Sequence, residues 1–292
     1  MTPQTEDVAP QPKRVSIVIV SFNRAENLHR SLAALGDAHQ ILVVDNGSTD
    51  GSANLDEEFP DVFSHVRFIR LPKNFGLTRA MNIGVRAADG EYVLFLHDDG
   101  CITGAAVSQL ADILEARQDA GAVCPLLTTD SGVPAPQLRA LPAPSLPDPP
   151  LRPAEGGAEG VTGEGIAREI SAECVSGAAI MFRMFFLRAL RQIDERYGNY
   201  GNIMELCAQV RRASRKLVIL RDVSALHEAL PSPMSKGALE GDRTTGTAEF
   251  LGKHYGFMAG ILYRIKAALG GLVTFRFNAV AGALSNDKID GS

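Results

Sequence analysis

Residues 91–100 read Glu-Tyr-Val-Leu-Phe-Leu-His-Asp-Asp-Gly. An apolar run with the composition of a buried strand stops at His97, Asp98 and Asp99, and a glycine follows. Carboxylates at the C-terminal edge of a strand sit where open α/β sheets bind ligands. Hard oxygen donors there suit Mg²⁺ or Mn²⁺ holding a diphosphate. Residues 43–52, VVDNGSTDGS, repeat the pattern, with an apolar strand ending at Asp45. Two such edges on one sheet point to a nucleotide-diphosphate site. Each motif also has a plainer use. Asp98 and Asp99 could cap a following helix, and Asp45 to Asp50 make an Asx-rich turn.

The surrounding elements must bring these edges together. Residues 14–21 (RVSIVIVS) are a β-branched run, read as a buried strand. A short loop, Phe22-Asn23-Arg24, leads to a helix whose face is marked by Leu28, Leu32 and Leu35. Further strands are expected over 40–45, 66–71 and 91–96, with a helix over 77–88. Strands alternate with helices through residue 125, which predicts a doubly wound, mainly parallel sheet. Residues 128–168 break the rhythm. They carry eight prolines between 134 and 153 and then a run of glycines, so no regular element is expected and a mobile loop or lid is. Order resumes over 169–183, with a helix over 204–213, a strand over 217–220, residues 224–227 closing the region with a histidine, and helix from Gly246 onward. The expected organisation is a disordered lead over 1–12, one α/β domain over 13–230, and a helical tail over 231–292.

Composition bounds the function. The 292 residues are 45% hydrophobic and 22% charged, with a net charge of −5. That is ordinary for a globular chain with a sizeable core. The charge gives no basic field for nucleic acid. The four cysteines, at 101, 124, 174 and 207, have no metal or redox spacing and read as free thiols in a reducing cytosol. The lead lacks the layout of a secretion signal, and no apolar run is long enough to span a bilayer. The tail over 257–284 mixes Leu, Ile, Val, Phe and Ala with Arg264, Lys266 and Arg276. It suits an interfacial helix at a membrane surface, or a helix packed on the core or on a partner.

Five segments in order carry a resemblance: SIVIVSFNRAENLHRSLAAL (16–35), ILVVDNGSTDGS (41–52), NFGLTRAMNIGVRAADGEYVLFLHDD (74–99), CVSGAAIMFR (174–183) and DERYGNYGNIMELCAQVRRA (194–213). Together they resemble inverting family 2 glycosyltransferases of the GT-A fold, especially bacterial rhamnosyltransferase-like members, from Val15 to His227. The resemblance implies a UDP- or dTDP-sugar donor, a divalent metal (Mn²⁺ or Mg²⁺), and a glycan or lipid-linked acceptor. It places Ser21, Asn23, Arg24 and Asp45 around the base and ribose, with Asp45 accepting from a pyrimidine N–H. Asn74, Gly76 and Arg79 face the nucleotide. His97-Asp98-Asp99 occupies the family's DxD position, with Asp98 toward the nucleotide-sugar and Asp99 on the metal. His227 completes the metal site or touches a phosphate. Ser176-Gly177-Ala178 lines the acceptor side.

The chain departs from the pattern in two places. Relatives carry Glu-Asp-Val-Asp-Leu-Cys, whose first Asp is the catalytic base. Here the matching residues are Asn202-Ile203-Met204-Glu205-Leu206-Cys207. Ile203 cannot take a proton, and Glu205, two residues along a helix, points elsewhere. Glu205 is the nearest acid for a substitute base. The first acid of DxD is His97. The expectation is therefore a metal-dependent inverting glycosyltransferase. The rival is a non-catalytic nucleotide-binding or scaffold protein of the same fold. A sugar-phosphate nucleotidyltransferase ranks last, because SFNRAEN lacks a Gly-rich basic loop.

Overall fold

The computed structural model describes residues 13–154, 168–228 and 231–273, with three further positions at 280, 281 and 284. The first strand, β1 (Val15–Ser21), is almost wholly buried because β-branched residues fill both of its faces. α1 (Ala25–Leu35) lays Leu28, Leu32 and Leu35 on the sheet. β2 (Gln40–Asp45) follows. A 3-10 turn at Gly51–Asn54 and two single-turn helices, α2 (Leu55–Glu58) and α3 (Pro60–Phe63), then lead to β3 (Val66–Arg70). α4 (Leu77–Ala87) crosses to β4 (Tyr92–His97). The two-residue β5 (Gly100–Cys101), α5 (Gly104–Ala116) and β6 (Ala120–Thr128) complete the first half.

The Pro-rich stretch contains regular structure, which corrects the expectation of none. β7 (Pro136–Arg139) and β8 (Arg152–Pro153) pair with each other, and β7 pairs with β10 (Cys174–Val175) in a small three-stranded sheet. Proline is tolerated because Pro136 is the first residue of β7, beside a register shift, and Pro153 lies on the edge strand β8. Residues 155–167, the Gly-rich part of the expected mobile loop, lie outside the described residues, as do residues 1–12 of the expected disordered lead. β9 (Glu169–Ala172), β11 (Ala179–Arg183) and α6 (Met184–Ala189) follow. Next come α7 (Asn202–Arg212) and β12 (Lys216–His227), which runs beyond the strand expected over 217–220 and carries a register shift between Leu220 and Ser224.

The main sheet runs β3-β2-β1-β4-β11-β6-β12-β5, with β9 on β12. β1, β2, β3 and β4 pair in parallel, as do β6 and β12. β11 enters antiparallel between β4 and β6. Helices cover both faces. This is the α/β GT-A architecture that the sequence predicted, with a helical tail.

The helix expected from Gly246 onward begins earlier, at Lys236. α8 (Lys236–Tyr255) is capped by Ser235, whose hydroxyl accepts from the Ala238 N–H. Its buried Asp242 accepts from the N–H groups of Asn199 and Tyr200. α9 (Phe257–Val273) folds back along α8, with Gly260 so close to the Ala248 carbonyl that a Cβ would lie 2.6 Å from it. Among the described residues, no helix is long and apolar enough to cross a membrane.

Candidate functional site

Strand register brings the chemistry-bearing residues level. Ser21 pairs with Asp45 and Val20 with His97, so three strands end on one line. Asp45 is buried. Its Oδ2 accepts from the Ser48 N–H at 3.1 Å, while Oδ1 is buried without a hydrogen-bond partner. A buried acceptor left open is costly, and an N–H of a pyrimidine would satisfy it. Asn46 beside it donates to Asn74 Oδ1 at 2.9 Å and accepts from the Phe75 N–H at 2.9 Å. Asn74 Oδ1 also accepts from the N–H of Gly76, whose φ of +81° opens α4. Asn23, at φ +53°, donates its N–H to Ser48 Oγ and accepts from the Thr49 N–H. The loops after β1 and β2 are thereby locked together. Gly47 is required where they meet the 73–74 segment, since a Cβ there would lie 2.5 Å from the Lys73 carbonyl carbon. Arg79 is exposed, with its guanidinium 4.9 Å from the Phe75 ring centroid.

Beyond β4 lies a cluster of metal-binding character. His97, Asp99 and His227 each bring one ligand atom to within 4.8 Å of the others. His227 Nε2 is 3.4 Å and His97 Nδ1 3.9 Å from Asp99 Oδ1. His227 arrives because β12 pairs with β5 at Gly100. Arg24 donates from Nη1 to Asp99 Oδ2 at 3.2 Å, and its Nε lies 3.8 Å from Asp98 Oδ1. Asp99 Oδ1 remains buried without a hydrogen-bond partner. Burial opposes ionisation of Asp99, but the approach of His227 and the fields of His97 and Arg24 outweigh it and hold the carboxyl at about 2. Desolvation pushes His97 down to about 4, so its imidazole is neutral and offers a lone pair. An ionised carboxylate with an open oxygen and a neutral imidazole are what a divalent cation requires. The donor set fits a metal. Asp99 and His227 were expected here. His97 is an addition, since the sequence showed it only as a substituted acid.

On the neighbouring side of β4 lies a cavity of about 130 Å³. Val18, Val20, Leu77, Met81, Phe95, Leu96, Gly177 and Ile203 line it, with His97 and Asp98 as its polar members. Burial pushes Asp98 up to about 7, against the pull of nearby Arg24. Ile203 sits in the first turn of α7 and packs on Gly177, whose φ is +84°. The position of the expected base is thus an apolar wall.

Glu205, expected as the nearest acid for a substitute base, faces α8 and not the cavity. Its carboxylate is buried against α8. Oε1 meets Lys253 Nζ at 2.8 Å and Gln209 Nε2 at 2.5 Å. Oε2 meets His254 Nε2 at 2.8 Å and Tyr197 Oη at 3.2 Å. Burial opposes ionisation, but His254, Lys253 and Gln209 outweigh it and hold Glu205 at about 2. A carboxylate so satisfied is a poor proton acceptor. Its partners sit 4 to 49 positions away in the chain, so no local pattern announces them. The tail also reaches the site unannounced. Arg24 Nη2 donates to the Pro231 carbonyl at 2.9 Å, and Asn74 Nδ2 lies 3.9 Å from Met234 Sδ.

Known proteins share this layout. The structure resembles a mannosyltransferase from Pyrobaculum calidifontis in complex with GDP-Man and Mn²⁺. The TM-score is 0.56 at 16% identity, over 94% of this chain and 82% of that one. It also resembles GalNAc-T7 with UDP, GalNAc and Mn²⁺, with a TM-score of 0.65 at 15% identity, over 96% and 53%. At such identities these likenesses establish the GT-A fold. In sequence, 104 residues are 33% identical to a cholesterol galactosyltransferase of Borreliella burgdorferi, covering 33% of this chain and 28% of that protein. A further 34% identity over 94 residues links it to an undecaprenyl-phosphate 4-deoxy-4-formamido-L-arabinose transferase of Proteus mirabilis, covering 30% and 29%. The chain matches under a third of the length of these curated relatives. The sequence profile described as glycosyl transferase family 2 matches residues 16–185, more than half of the chain, and the chain belongs to that family.

Proposed function

We propose that the protein is an inverting glycosyltransferase that moves a sugar from a UDP- or dTDP-sugar to a glycan or lipid-linked acceptor with a divalent metal. The observation that carries the reading is the presence of two open buried carboxylate oxygens at the ends of β2 and β4, the strands that flank β1. Asp45 Oδ1, in this reading, serves the base and Asp99 Oδ1 the cation. In this reading His97, Asp99 and His227 hold the metal, which when bound would neutralise the leaving diphosphate. Two imidazoles in the set favour Mn²⁺ over Mg²⁺, whose preference is for oxygen. Asn46, Asn74 and the loop at Asn23 fix the nucleotide pocket's shape. Arg24 sets the charge between Asp98 and Asp99. The cavity walled by Ile203 and Met81 receives the least polar face of the sugar or acceptor and excludes water from it.

A second reading, a non-catalytic nucleotide-binding scaffold, is favoured by one observation. The base position is Ile203, and Glu205 is tied to α8. General-base loss costs about 10²–10⁴-fold in rate, so slow transfer and no transfer are the two outcomes to separate. The experiment is a screen of UDP- and dTDP-sugars for Mn²⁺-dependent binding, followed by acceptor-dependent nucleoside diphosphate release. Release with any donor supports the transferase. Metal-dependent binding without release from any donor and acceptor supports the scaffold. Absence of nucleotide binding defeats both.

A further inference from the structure

The loop between β7 and β8 is tied to the body of the molecule through Asp148. Side chains from three parts of the chain converge on its carboxylate. Arg139, the last residue of β7, donates from Nη2 to Asp148 Oδ1 at 3.0 Å and to Tyr200 Oη at 2.7 Å. Tyr200, in the turn before α7, donates from Oη to the same Oδ1 at 2.7 Å. Arg243, on α8, pairs with Oδ2. Both guanidiniums also lie against the Tyr200 ring, 5.4 and 5.7 Å from its centroid. The inner members of this cage lead directly to the cavity wall. Tyr200 is three residues before Ile203, and Arg139 pairs with Cys174, three residues before Gly177.

The cage is underfilled. The Arg139 side chain is 8% exposed, yet its Nε is buried without a hydrogen-bond partner. Nε and Nη2 share one edge of the planar guanidinium, so the open donor faces the same side as the bond to Asp148. Such a fork is filled by an acceptor that presents two oxygens side by side. Asp148 gives it one oxygen and turns the other to Arg243. Asp148 is also one carboxylate against two guanidiniums. Asp242, beside Arg243 in sequence, is turned to the N–H groups of Asn199 and Tyr200. A phosphate group brings three acceptor oxygens and a charge of about −1.5 to −2, which meets both deficits. The Arg243 side chain is 53% exposed and that of Asp148 26%, so the cage is reached from solvent. We propose that Arg139, Tyr200 and Arg243 form a phosphate subsite on the acceptor side of the cleft, with Asp148 as its internal competitor. Carried on the acceptor, a phosphate displaces Asp148, frees the loop between β7 and β8, and fixes the acceptor beside Ile203. The acceptor's part rests on the reading of the cleft as a sugar-transfer site. The binding of phosphate does not.

The test is calorimetric titration of the full chain in EDTA, without nucleotide, so that no metal-bound phosphate forms at His97, Asp99 and His227. The probes are inorganic phosphate, hexyl phosphate and, as a charge control, acetate. Phosphate should bind and acetate should not. Hexyl phosphate binding tighter than inorganic phosphate supports the subsite and assigns it to an esterified phosphate. Equal affinity supports it and assigns it to free phosphate. Arg243→Ala should weaken phosphate binding about tenfold or more, with an unchanged circular dichroism spectrum because that side chain is more than half exposed. Asp148→Asn removes the competing charge at nearly the same volume and should tighten phosphate binding about tenfold, a gain that a merely structural Asp148 would not give. Binding by neither the wild type nor Asp148→Asn overturns the proposal, as does an affinity in Asp148→Asn no higher than in the wild type. If Asp148→Asn does not fold, Arg243→Ala decides alone. Phosphate binding that Arg243→Ala leaves unchanged overturns the proposal, because the anion then sits elsewhere, and so does acetate binding as tight as phosphate. Failure to bind UDP with Mn²⁺ leaves these results untouched, so the two readings fall separately.

Discussion

At the scale of single residues, the proposed site divides into a polar half around Asp45 and Asp99 and an apolar wall at Ile203. Asp99 is the pivot of the first. Asp99→Ala removes the one carboxylate of the cluster, and Mn²⁺-dependent UDP binding measured by calorimetry should vanish. Arg24 keeps Asp98 and the Pro231 carbonyl as neighbours, so the circular dichroism spectrum should stay native. Binding that persists with the same metal dependence would show that the cation sits elsewhere. Ile203 is the pivot of the second. Ile203→Asp puts a carboxylate where the wall now stands, and diphosphate release with an acceptor should rise at least about tenfold. An unchanged rate would mean that the acceptor does not approach along this wall. The positions of Asp45 and Asp99 at neighbouring strand ends were legible because an apolar run that stops at an acid marks a strand edge. His97 was not legible as a donor. Its place depends on β12 bringing His227 beside it, and that pairing joins residues more than a hundred positions apart.

At the scale of elements, α7 uses neighbouring residues for opposite jobs. Ile203 faces the cavity, while Glu205 faces α8 and ties the two helices together. Two positions on a helix are ~200° apart, so the sequence did show that they diverge, but it could not show what Glu205 meets. The acid dependence follows. The usual carboxyl value of 4.5 is lowered to about 2 in the fold. Because the folded value is depressed, the stabilisation is present above about 4.5 and is lost as pH falls through 2. Glu205→Gln should cost about 3 kcal/mol at pH 7 and should flatten the dependence of Tm on pH between 4.5 and 2. A variant as stable as the wild type at neutral pH would show that the cluster contributes nothing net. Gly177 offers a second check. An alanine there must hold φ at +84° and place its Cβ 2.5 Å from Ile203 Cγ1. We expect a loss of about 2 kcal/mol or more in urea denaturation. The long parallel strands were legible from β-branched runs. β7 and β8 were not, because proline density hides short strands that form only by pairing with segments far along the chain.

At the scale of the whole molecule, site and tail form one body. The chain leaves β12 at His227, passes Arg24 at Pro231, and returns as α8 to bind α7 through Glu205. Ligand and tail are therefore coupled through stability. UDP with Mn²⁺ at a hundredfold excess over its Kd should add about 2.7 kcal/mol. EDTA should return Tm to the ligand-free value without unfolding, since Arg24 already neutralises Asp98 and Asp99. Unfolding on chelation would make the metal structural. α8 is twenty residues long, about 30 Å of rigid helix, and α9 is folded back on it. Whatever meets the outer side of α9 is therefore held at a fixed distance from the cleft, because the strut between them bends little.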